Sequence, residues 1–204
     1  MSKFITVEGT EGVGKTTAIT SIRKVFEAHQ TAYLLTREPG GTPLAEAMRG
    51  LLLAERDEVV LPDTELLLLY AGRIQHWHHK IKPALEAGTW VVSDRFFDAT
   101  FAYQGGGRQV PFERIQQIHD WALGNVEPNH TILLDAPVEI GLARIQGRAH
   151  LDRFEHETVA FFNRVRAFYL KLAEDNPRFT IIDASQSEAV IQEQVATLLE
   201  TLLK

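Results

Sequence analysis

The sequence predicts an α/β protein with a five-stranded parallel sheet and helices on both of its faces. Short apolar runs, typical of buried strands, alternate along the chain with longer segments whose apolar residues recur at helical spacing. Polar, glycine-containing segments follow several of these strands, and in such a sheet the carboxyl ends of the strands form the ligand-binding edge. The predicted strands span residues 4–7, 33–36, 89–93, 130–134 and 179–182.

Helices are expected between the strands and after the last one. The first of them shows the periodicity most clearly, with Ile19, Ile22, Val25 and Phe26 on one face. The third begins at Pro62, and whether it continues past Pro83 is left open. The predicted helices span residues 15–29, 43–54, 62–80 (or to 88), 111–123, 137–146, 155–174 and 187–203.

Length and composition favour one globular domain over residues 1–204. The chain carries a net charge of −6, which argues against a broad nucleic-acid surface. It has no cysteine, so neither a disulfide framework nor a thiolate metal site is expected, and a cytoplasmic location is compatible. No apolar run approaches the roughly 18 residues of a membrane span, and the strand at residue 4 leaves no room for a signal peptide.

The segment from Gly9 to Thr17 carries the strongest chemical signal. It fits the phosphate-binding pattern G-x-x-x-x-G-K-[ST], between a predicted strand and a predicted helix. Glycines let backbone N–H groups converge on an anion at the helix N-terminus, Lys15 can reach the outer phosphates and Thr16 can bind Mg2+. A chance match is disfavoured by this context, so we expect a nucleoside triphosphate to be bound. The predicted nucleotide-binding residues here are Gly9, Thr10, Glu11, Gly12, Val13, Gly14, Lys15, Thr16 and Thr17.

Several further motifs combine with this loop. They are Arg37-Glu38-Pro39-Gly40-Gly41, Tyr70-Ala71-Gly72-Arg73, Asp94-Arg95-Phe96, Ala102-Tyr103-Gln104 and Leu151-Asp152-Arg153-Phe154-Glu155. From about residue 3 to 186 the series resembles the thymidylate kinase family, the nucleoside-monophosphate kinases that make dTDP from dTMP and ATP. The resemblance implies the P-loop nucleoside-monophosphate-kinase fold, ATP and dTMP as nucleotide partners, Mg2+ and a homodimer. The leucine run 66–69 is expected to be core or part of the dimer face.

The resemblance also implies roles at the end of the third strand. Arg95 is expected on the acceptor phosphate near the transferring group, and Asp94 close to Mg2+ or its waters. The alternative for these neighbours is a surface ion pair, which the strand end disfavours. The expected metal-binding residues are therefore Thr16 and Asp94, and Lys15, Asp94 and Arg95 are expected to be catalytic.

The resemblance also implies which residues form the site for the acceptor nucleotide. Glu11 is expected on the sugar 3′-hydroxyl, or else as an acid at a helix N-terminus. Tyr103 is expected beside the sugar, with ordinary core packing as the alternative, and Arg49 has a solvated helix face as its alternative. Arg73 and Gln104 resemble residues that read the thymine edge. The full expected set is Glu11, Arg37, Pro39, Arg49, Leu69, Arg73, Arg95, Thr100, Tyr103 and Gln104.

Two positions depart from the family pattern. Leu69 stands where the family commonly stacks a phenylalanine on thymine, and Ala99 stands where serine is usual. A leucine can pack on a base but has no aromatic face. These changes leave another monophosphate, such as dUMP, open as the acceptor.

The segment at about 144–155 resembles the mobile lid of the bacterial family members, whose phosphate loop has no arginine. Arg148 and Arg153 are expected over the transferring phosphoryl group as arginine fingers. Arg144 is expected to pack on adenine, which the Asp183–Gln186 segment, with Gln186, is expected to border. For each of these arginines the alternative is a solvated helix face.

The remaining polar residues have competing interpretations. Asp135 is either a Walker-B-like acid or a helix N-cap before Pro137. A solvated helix face is preferred to a metal site for His76, His78 and His79. A nucleotide-switched GTPase module is a further alternative, but its guanine-reading Asn-Lys-x-Asp segment is absent at any matching strand end.

Overall fold

The computed structural model describes residues 2–146 and 153–204. The described chain contains a five-stranded sheet in which every pair of neighbouring strands is parallel, in the order β2-β3-β1-β4-β5. The predicted fold class is therefore confirmed. The strands are β1 Phe4–Glu8, β2 Tyr33–Arg37, β3 Trp90–Asp94, β4 His130–Asp135 and β5 Phe179–Asp183.

Helices cover both faces of this sheet. They are α1 Lys15–Ala28, α2 Pro43–Leu53, α3 Pro62–His76, α4 Lys82–Glu86, α5 Phe97–Thr100, α6 Phe112–Leu123, α7 Val138–Ile145, α8 Val159–Ala173 and α9 Glu188–Leu203. One π-helical segment, Trp77–Ile81, joins α3 to α4, and another, Phe101–Gly107, continues α5.

The structure settles one point that the sequence left open and differs from the sequence prediction at another stretch. The third helix does continue past Pro83, because the π-helical turn before it changes the hydrogen-bond register and Pro83 falls in the first turn of α4. Residues 97–107 are helical although their three glycines and lack of apolar periodicity gave no helix signal. Those glycines let the segment pack tightly on α8, since a Cβ on Gly106 would lie 2.7 Å from Phe168 Cβ.

The alternation of side chains along the strands divides the core into two layers. In β1, Ile5 and Val7 face α1 and α9, where they pack with Ile22 and Val195. Phe4 lies in the opposite layer with Tyr70 and other residues of the helices on that side. In the described parts of the chain, no helix is long and apolar enough to cross a membrane.

Each strand ends on a charged residue at the same edge of the sheet. These residues are Glu8, Arg37, Asp94, Asp135 and Asp183. Because the strands are parallel, their carboxyl ends and the loops that follow them converge there.

Candidate functional site

The loop between β1 and α1 is an anion-binding cradle made of backbone. Gly9, Gly12 and Gly14 adopt φ values of 135°, 71° and 93°, which other residues rarely reach. A Cβ on Gly9 would lie 2.5 Å from the Leu134 carbonyl oxygen, and one on Gly12 would collide with Gly141 of α7. Helix α1 begins without a side-chain cap, so its first N–H groups are available to an anion.

Lys15 lies against this loop. Its Nζ donates to the carbonyl oxygens of Gly9 and Thr10, at 3.1 and 2.8 Å. Burial, and then the nearby Arg95 guanidinium, lower the pKa of Lys15 to about 8. An anion bound in the loop would offset both causes, because it favours the charged amine.

Two oxygen groups near the loop suit Mg2+, which prefers oxygen ligands. The Thr16 residue is exposed at the start of α1. Asp94 lies at the end of β3, beside Val7 of β1, and its Oδ1 is buried without a hydrogen-bond partner among the described residues. Thr17, also predicted to bind nucleotide, directs its hydroxyl at Glu188 of α9, 3.4 Å away.

Arg95 connects the loop to a neighbouring cleft. Its Nη2 donates to Gly9 O at 3.3 Å, to Glu11 Oε1 at 2.9 Å and to the Tyr103 hydroxyl at 2.9 Å. Tyr103 in turn donates to the Glu11 carboxylate at 2.7 Å. Arg95 adopts a φ of 66°, a strained conformation for a residue with a Cβ, and its Nε has no partner in the described structure. The cluster is therefore held in place while one donor remains unused.

The cleft beside Arg95 has about 530 Å³ of empty space, a volume that includes solvent space at its opening. It brings together nine of the ten predicted acceptor residues, and Ala99 with them. The lining residues are Glu11, Glu38, Pro39, Arg49, Leu52, Leu53, Leu69, Arg73, Arg95, Phe96, Ala99, Thr100, Tyr103, Gln104 and Phe154.

Arg73 is fixed on the floor of this cleft. Its Nε donates to Glu38 Oε2 at 2.6 Å, and its Nη2 donates to Thr100 Oγ1 at 2.9 Å and to Phe96 O at 3.2 Å. Its guanidinium also lies over the Tyr70 ring, 4.8 Å from the centroid. The remaining nitrogen, Nη1, is buried without a partner among the described residues. One nitrogen of an otherwise hydrogen-bonded arginine is thus left for a ligand.

His76 extends this arrangement, and here the sequence prediction was wrong. The side chain is completely buried, with Nδ1 3.0 Å from Glu38 Oε1 and Nε2 2.7 Å from Thr36 Oγ1. Helix α3 turns this position toward β2, so His76 braces Glu38 instead of facing solvent. His78 and His79 are exposed, as predicted. No group of three residues suited to metal binding occurs within the described ranges.

Gln104 faces the same cleft from the π-helical segment. Its Nε2 donates to Glu65 Oε2 at 3.0 Å, and its Oε1 is buried without a partner in the parts of the chain described. Gln104 therefore presents an unused acceptor where Arg73 presents an unused donor.

Arg37 lies apart from this group. Its side chain is 55% exposed and its Nη2 donates to Glu46 at 3.0 Å, outside the cleft lining. Arg49 lies at the cleft, where its Nη1 donates to Pro39 O at 2.9 Å. The expected role of Arg37 on the acceptor phosphate stays a prediction.

On the other side of the loop, Arg144 and the segment after β5 come together. Arg144 Nη1 donates to Ala184 O at 2.9 Å and to Gly12 O at 3.4 Å. Gln186 Nε2 donates to Asp183 Oδ2 at 2.8 Å. The hydrogen bonds from Gln186 and Ser185 lower the pKa of Asp183 to about 2. This surface adjoins the phosphate loop, and its expected contact with adenine stays a prediction.

The described residues include one of the two predicted lid arginines, Arg153. Arg148 lies outside the described residues. Arg153 Nη1 donates to Glu65 Oε1 at 2.6 Å, its Nη2 donates to Leu52 O at 3.1 Å, and its guanidinium lies 4.7 Å from the Phe154 ring centroid. Arg153 is thus held beside the cleft, whose wall includes Leu52 and Phe154.

Asp135 binds Arg166 of α8. Its two carboxylate oxygens accept from Nε and Nη2 of Arg166, at 2.7 and 2.8 Å. The N-cap alternative is wrong, because α7 is preceded by Pro137 and has no side-chain cap.

Three buried glutamates near the site received no role from the sequence: Glu8, Glu38 and Glu65. Glu8 Oε1 accepts from Phe96 N at 2.7 Å and its Oε2 from the Tyr169 hydroxyl at 2.8 Å. Burial, and then the Asp98 charge, raise the pKa of Glu8 to about 8. The only sequence signal for Glu8 was its position at a strand end, and the only one for Glu38 was its place in the Arg37–Gly41 motif. Glu65, within a leucine-rich helix, had none.

Known proteins similar to this chain point to one family. The sequence model described as thymidylate kinase matches residues 7–195. Proteins named thymidylate kinase from Marinomonas sp. (strain MWYL1) and Pseudomonas fluorescens (strain Pf0-1) are 50% identical to the chain over 203 and 202 residues, respectively. These matches cover 97% and 98% of this chain and 96% of each relative.

A solved structure agrees with the sequence relatives. The crystal structure of thymidylate kinase from Ehrlichia chaffeensis is similar to this chain with a TM-score of 0.77 and 31% identity, covering 98% of both chains. The phosphate loop, the cleft and these similarities converge, and the chain belongs to the thymidylate kinase family.

Proposed function

We propose that this protein transfers the γ-phosphoryl group of MgATP to the 5′-phosphate of dTMP, giving dTDP and ADP. One observation carries the choice of acceptor within the family assignment. The unused donor Nη1 of Arg73 and the unused acceptor Oε1 of Gln104 line one cleft, and that cleft adjoins the phosphate loop through Arg95. A keto pyrimidine offers an acceptor and a donor on one edge, which matches this pair.

The donor nucleotide is assigned to the loop side. Backbone N–H groups of residues 9–17 and the α1 N-terminus would hold its phosphates, with Lys15 turning from the loop carbonyls to the outer phosphate. Arg144 and Gln186 would border adenine. Thr16 and Asp94 would hold Mg2+, which when bound neutralises charge on the phosphates.

The acceptor is assigned to the cleft side. Arg95 would bind the 5′-phosphate of dTMP through its unused Nε, with Arg37 and Arg49 as further cations. Glu11 and Tyr103 would contact the sugar, and Leu69, Pro39 and Thr100 would surround the base. No general base is required, because the nucleophile is already a phosphate oxygen.

Closure over the transferring group is assigned to a lid at residues 144–155. The phosphate loop contains Lys15 as its only cation, so arginines must come from elsewhere. Arg148 and Arg153 are the proposed fingers, and closure would also exclude water. We propose that the whole chain forms a single domain that carries this lid.

An acceptor panel tests the proposal. Purified protein with MgATP is given dTMP, dUMP, dCMP or dGMP, and ADP release is followed at steady state. We expect dTMP to have the highest kcat/KM and chelation of Mg2+ to stop turnover. The assignment to dTMP fails if another monophosphate is turned over equally well, and Leu69 and Ala99 make dUMP the acceptor to watch.

A homodimer is proposed from exposed leucines on two helices that pack together. Leu44 and Leu51 of α2 and Leu67 of α3 are 51%, 55% and 61% exposed. Burying such side chains against a second copy is favourable. Light scattering should give a dimer mass for the chain and a monomer mass for Leu67→Glu, whereas a monomeric parent chain would end this proposal. We assign the activity to the cytoplasm.

A further inference from the structure

Glu65 has a fully buried carboxylate next to the cleft beside Arg95, although Glu65 is not one of the residues that line this cleft. It sits near the start of α3 and accepts three hydrogen bonds. Its Oε1 accepts from Arg153 Nη1 at 2.6 Å, and its Oε2 accepts from Arg108 Nε at 3.2 Å and from Gln104 Nε2 at 3.0 Å. Burying a carboxylate is costly, and hydrophobic residues often serve stability as well or better. The position therefore invites a role other than stability.

The contact with Gln104 fixes which way round that amide lies. An ionised carboxylate can only accept hydrogen bonds, and Glu65 is paired with two guanidinium groups. The NH2 group of Gln104 must then face Glu65, and Oε1 must face away from it. That oxygen is buried and has no partner within the described residues, a state that costs free energy until a donor arrives.

We propose that Glu65 is a positioning residue that selects keto over amino pyrimidines by fixing the orientation of the Gln104 amide. The inference rests on the proposed function, in which Arg73 and Gln104 read the base edge. With the amide fixed, Arg73 Nη1 is a donor and Gln104 Oε1 an acceptor. Thymine and uracil carry a carbonyl at position 4 and an N–H at position 3, which satisfy both groups.

Cytosine reverses both features of that edge. Its 4-amino group would meet the Arg73 donor, and its bare N3 would meet the Gln104 acceptor. If the amide were free to turn, Gln104 could offer its NH2 group to N3 and remove one of the two mismatches. Glu65 prevents this turn, so it contributes to specificity without touching the base.

Glu65→Gln tests the idea, because a neutral amide at position 65 can accept or donate and no longer dictates the orientation. We expect the ratio of kcat/KM for dTMP to that for dCMP to fall about tenfold or more, since one buried mismatch is relieved. The ratio of kcat/KM for dTMP to that for dUMP, and the KM for ATP, should each change by no more than about twofold. General damage to the fold would instead lower turnover of all three acceptors together.

Arg108→Gln is the matched control. It removes a second partner of Glu65 Oε2 but leaves the carboxylate facing Gln104. The ratio of kcat/KM for dTMP to that for dCMP should therefore stay within about twofold of its value in the parent chain. The double variant Glu65→Gln/Arg108→Gln removes one charge of each sign and guards against misfolding from an unpaired buried arginine. It should show the same fall as Glu65→Gln. An unchanged ratio in either folded Glu65 variant overturns the proposal.

Neutron diffraction from deuterated, unsubstituted protein reads the amide directly and needs no variant to fold. Deuterons on the Gln104 nitrogen should point at Glu65, and an oxygen facing Glu65 would overturn the proposal. This result also separates the two hypotheses. If the chain phosphorylated no pyrimidine monophosphate, the proposed function would fail while the orientation of the amide would still be measured.

Discussion

Arg73 and Glu38 form a buried ion pair in which Nε of the arginine lies 2.6 Å from Oε2 of the glutamate. The two side chains are 1% and 3% exposed. Glu38 follows β2 and Arg73 belongs to α3, so the pair joins the sheet edge to the helix that forms the base side of the cleft. His76 holds the other oxygen of Glu38, which leaves Arg73 little freedom.

Glu38→Gln should therefore damage both stability and acceptor binding. Removing one partner of a buried ion pair typically costs about 3–5 kcal/mol, because the other charge stays buried. We expect a loss of that size in urea unfolding and a raised KM for dTMP. Glu86→Gln is the control, since Glu86 lies 3.8 Å from Lys82 in an exposed pair, and it should cost less than about 1 kcal/mol.

Binding of nucleotide should depend on the protonation of Lys15. The pKa of about 8 means that the ligand-free chain loses this charge as the pH rises through that value, whereas bound phosphates favour the protonated amine. Affinity for MgADP should weaken between pH 7 and 9.5, and calorimetry in buffers of different ionisation enthalpy should show proton uptake near pH 8.5. Lys15→Met should bind more weakly and lose this proton uptake. An affinity of the parent chain that is flat over this range would contradict the assignment.

Leu69 leaves room for a stronger base contact. The residue is 9% exposed and lines the cleft, where a phenylalanine would add an aromatic face. Aromatic pairs contribute about 0.5–1.5 kcal/mol beyond their area, so Leu69→Phe should lower the KM for dTMP by about twofold to tenfold. Leu61→Phe, at a 62% exposed residue directly before the same helix, should leave the KM unchanged. A raised KM in Leu69→Phe would mean that the cleft is already filled.

Glu8 should make stability depend on pH. Its pKa is raised from 4.5 to about 8, so between these values the folded chain holds a proton that the unfolded chain has released. The stability gained from that proton is fully present below pH 4.5 and is lost as the pH rises toward 8. Glu8→Gln cannot lose a proton. The unfolding free energy of Glu8→Gln, relative to that of the parent chain, should therefore increase from pH 5 to 8.

Urea unfolding of both chains at several pH values measures this shift, because the contributions of other titrating groups cancel in the difference. Glu86→Gln, in an exposed pair with Lys82, again serves as the control for replacing a glutamate by glutamine. Parallel curves for Glu8→Gln and the parent chain would show that Glu8 is ionised in the folded state.

The family resemblance supplied the ten residues predicted for the acceptor site, of which nine line the cleft. Sequence patterns alone located the phosphate loop and the five strands, because these features are local or follow from strand order. A loop pattern lies within nine residues, and parallel strands necessarily bring their carboxyl ends to one edge. The resemblance to a family supplied the roles, and the match over residues 7–195 confirms that membership.

The tertiary structure alone decided how the polar groups of the cleft are held. Glu38 meets Arg73 across 35 positions and Glu65 meets Gln104 across 39, and neither spacing leaves a mark on the sequence. His76 was expected in solvent, but the folded chain turns it toward β2, where its Nε2 lies 2.7 Å from Thr36 Oγ1. A buried charge is stable only beside its partner, and packing between distant elements, not local spacing, brings the partners together.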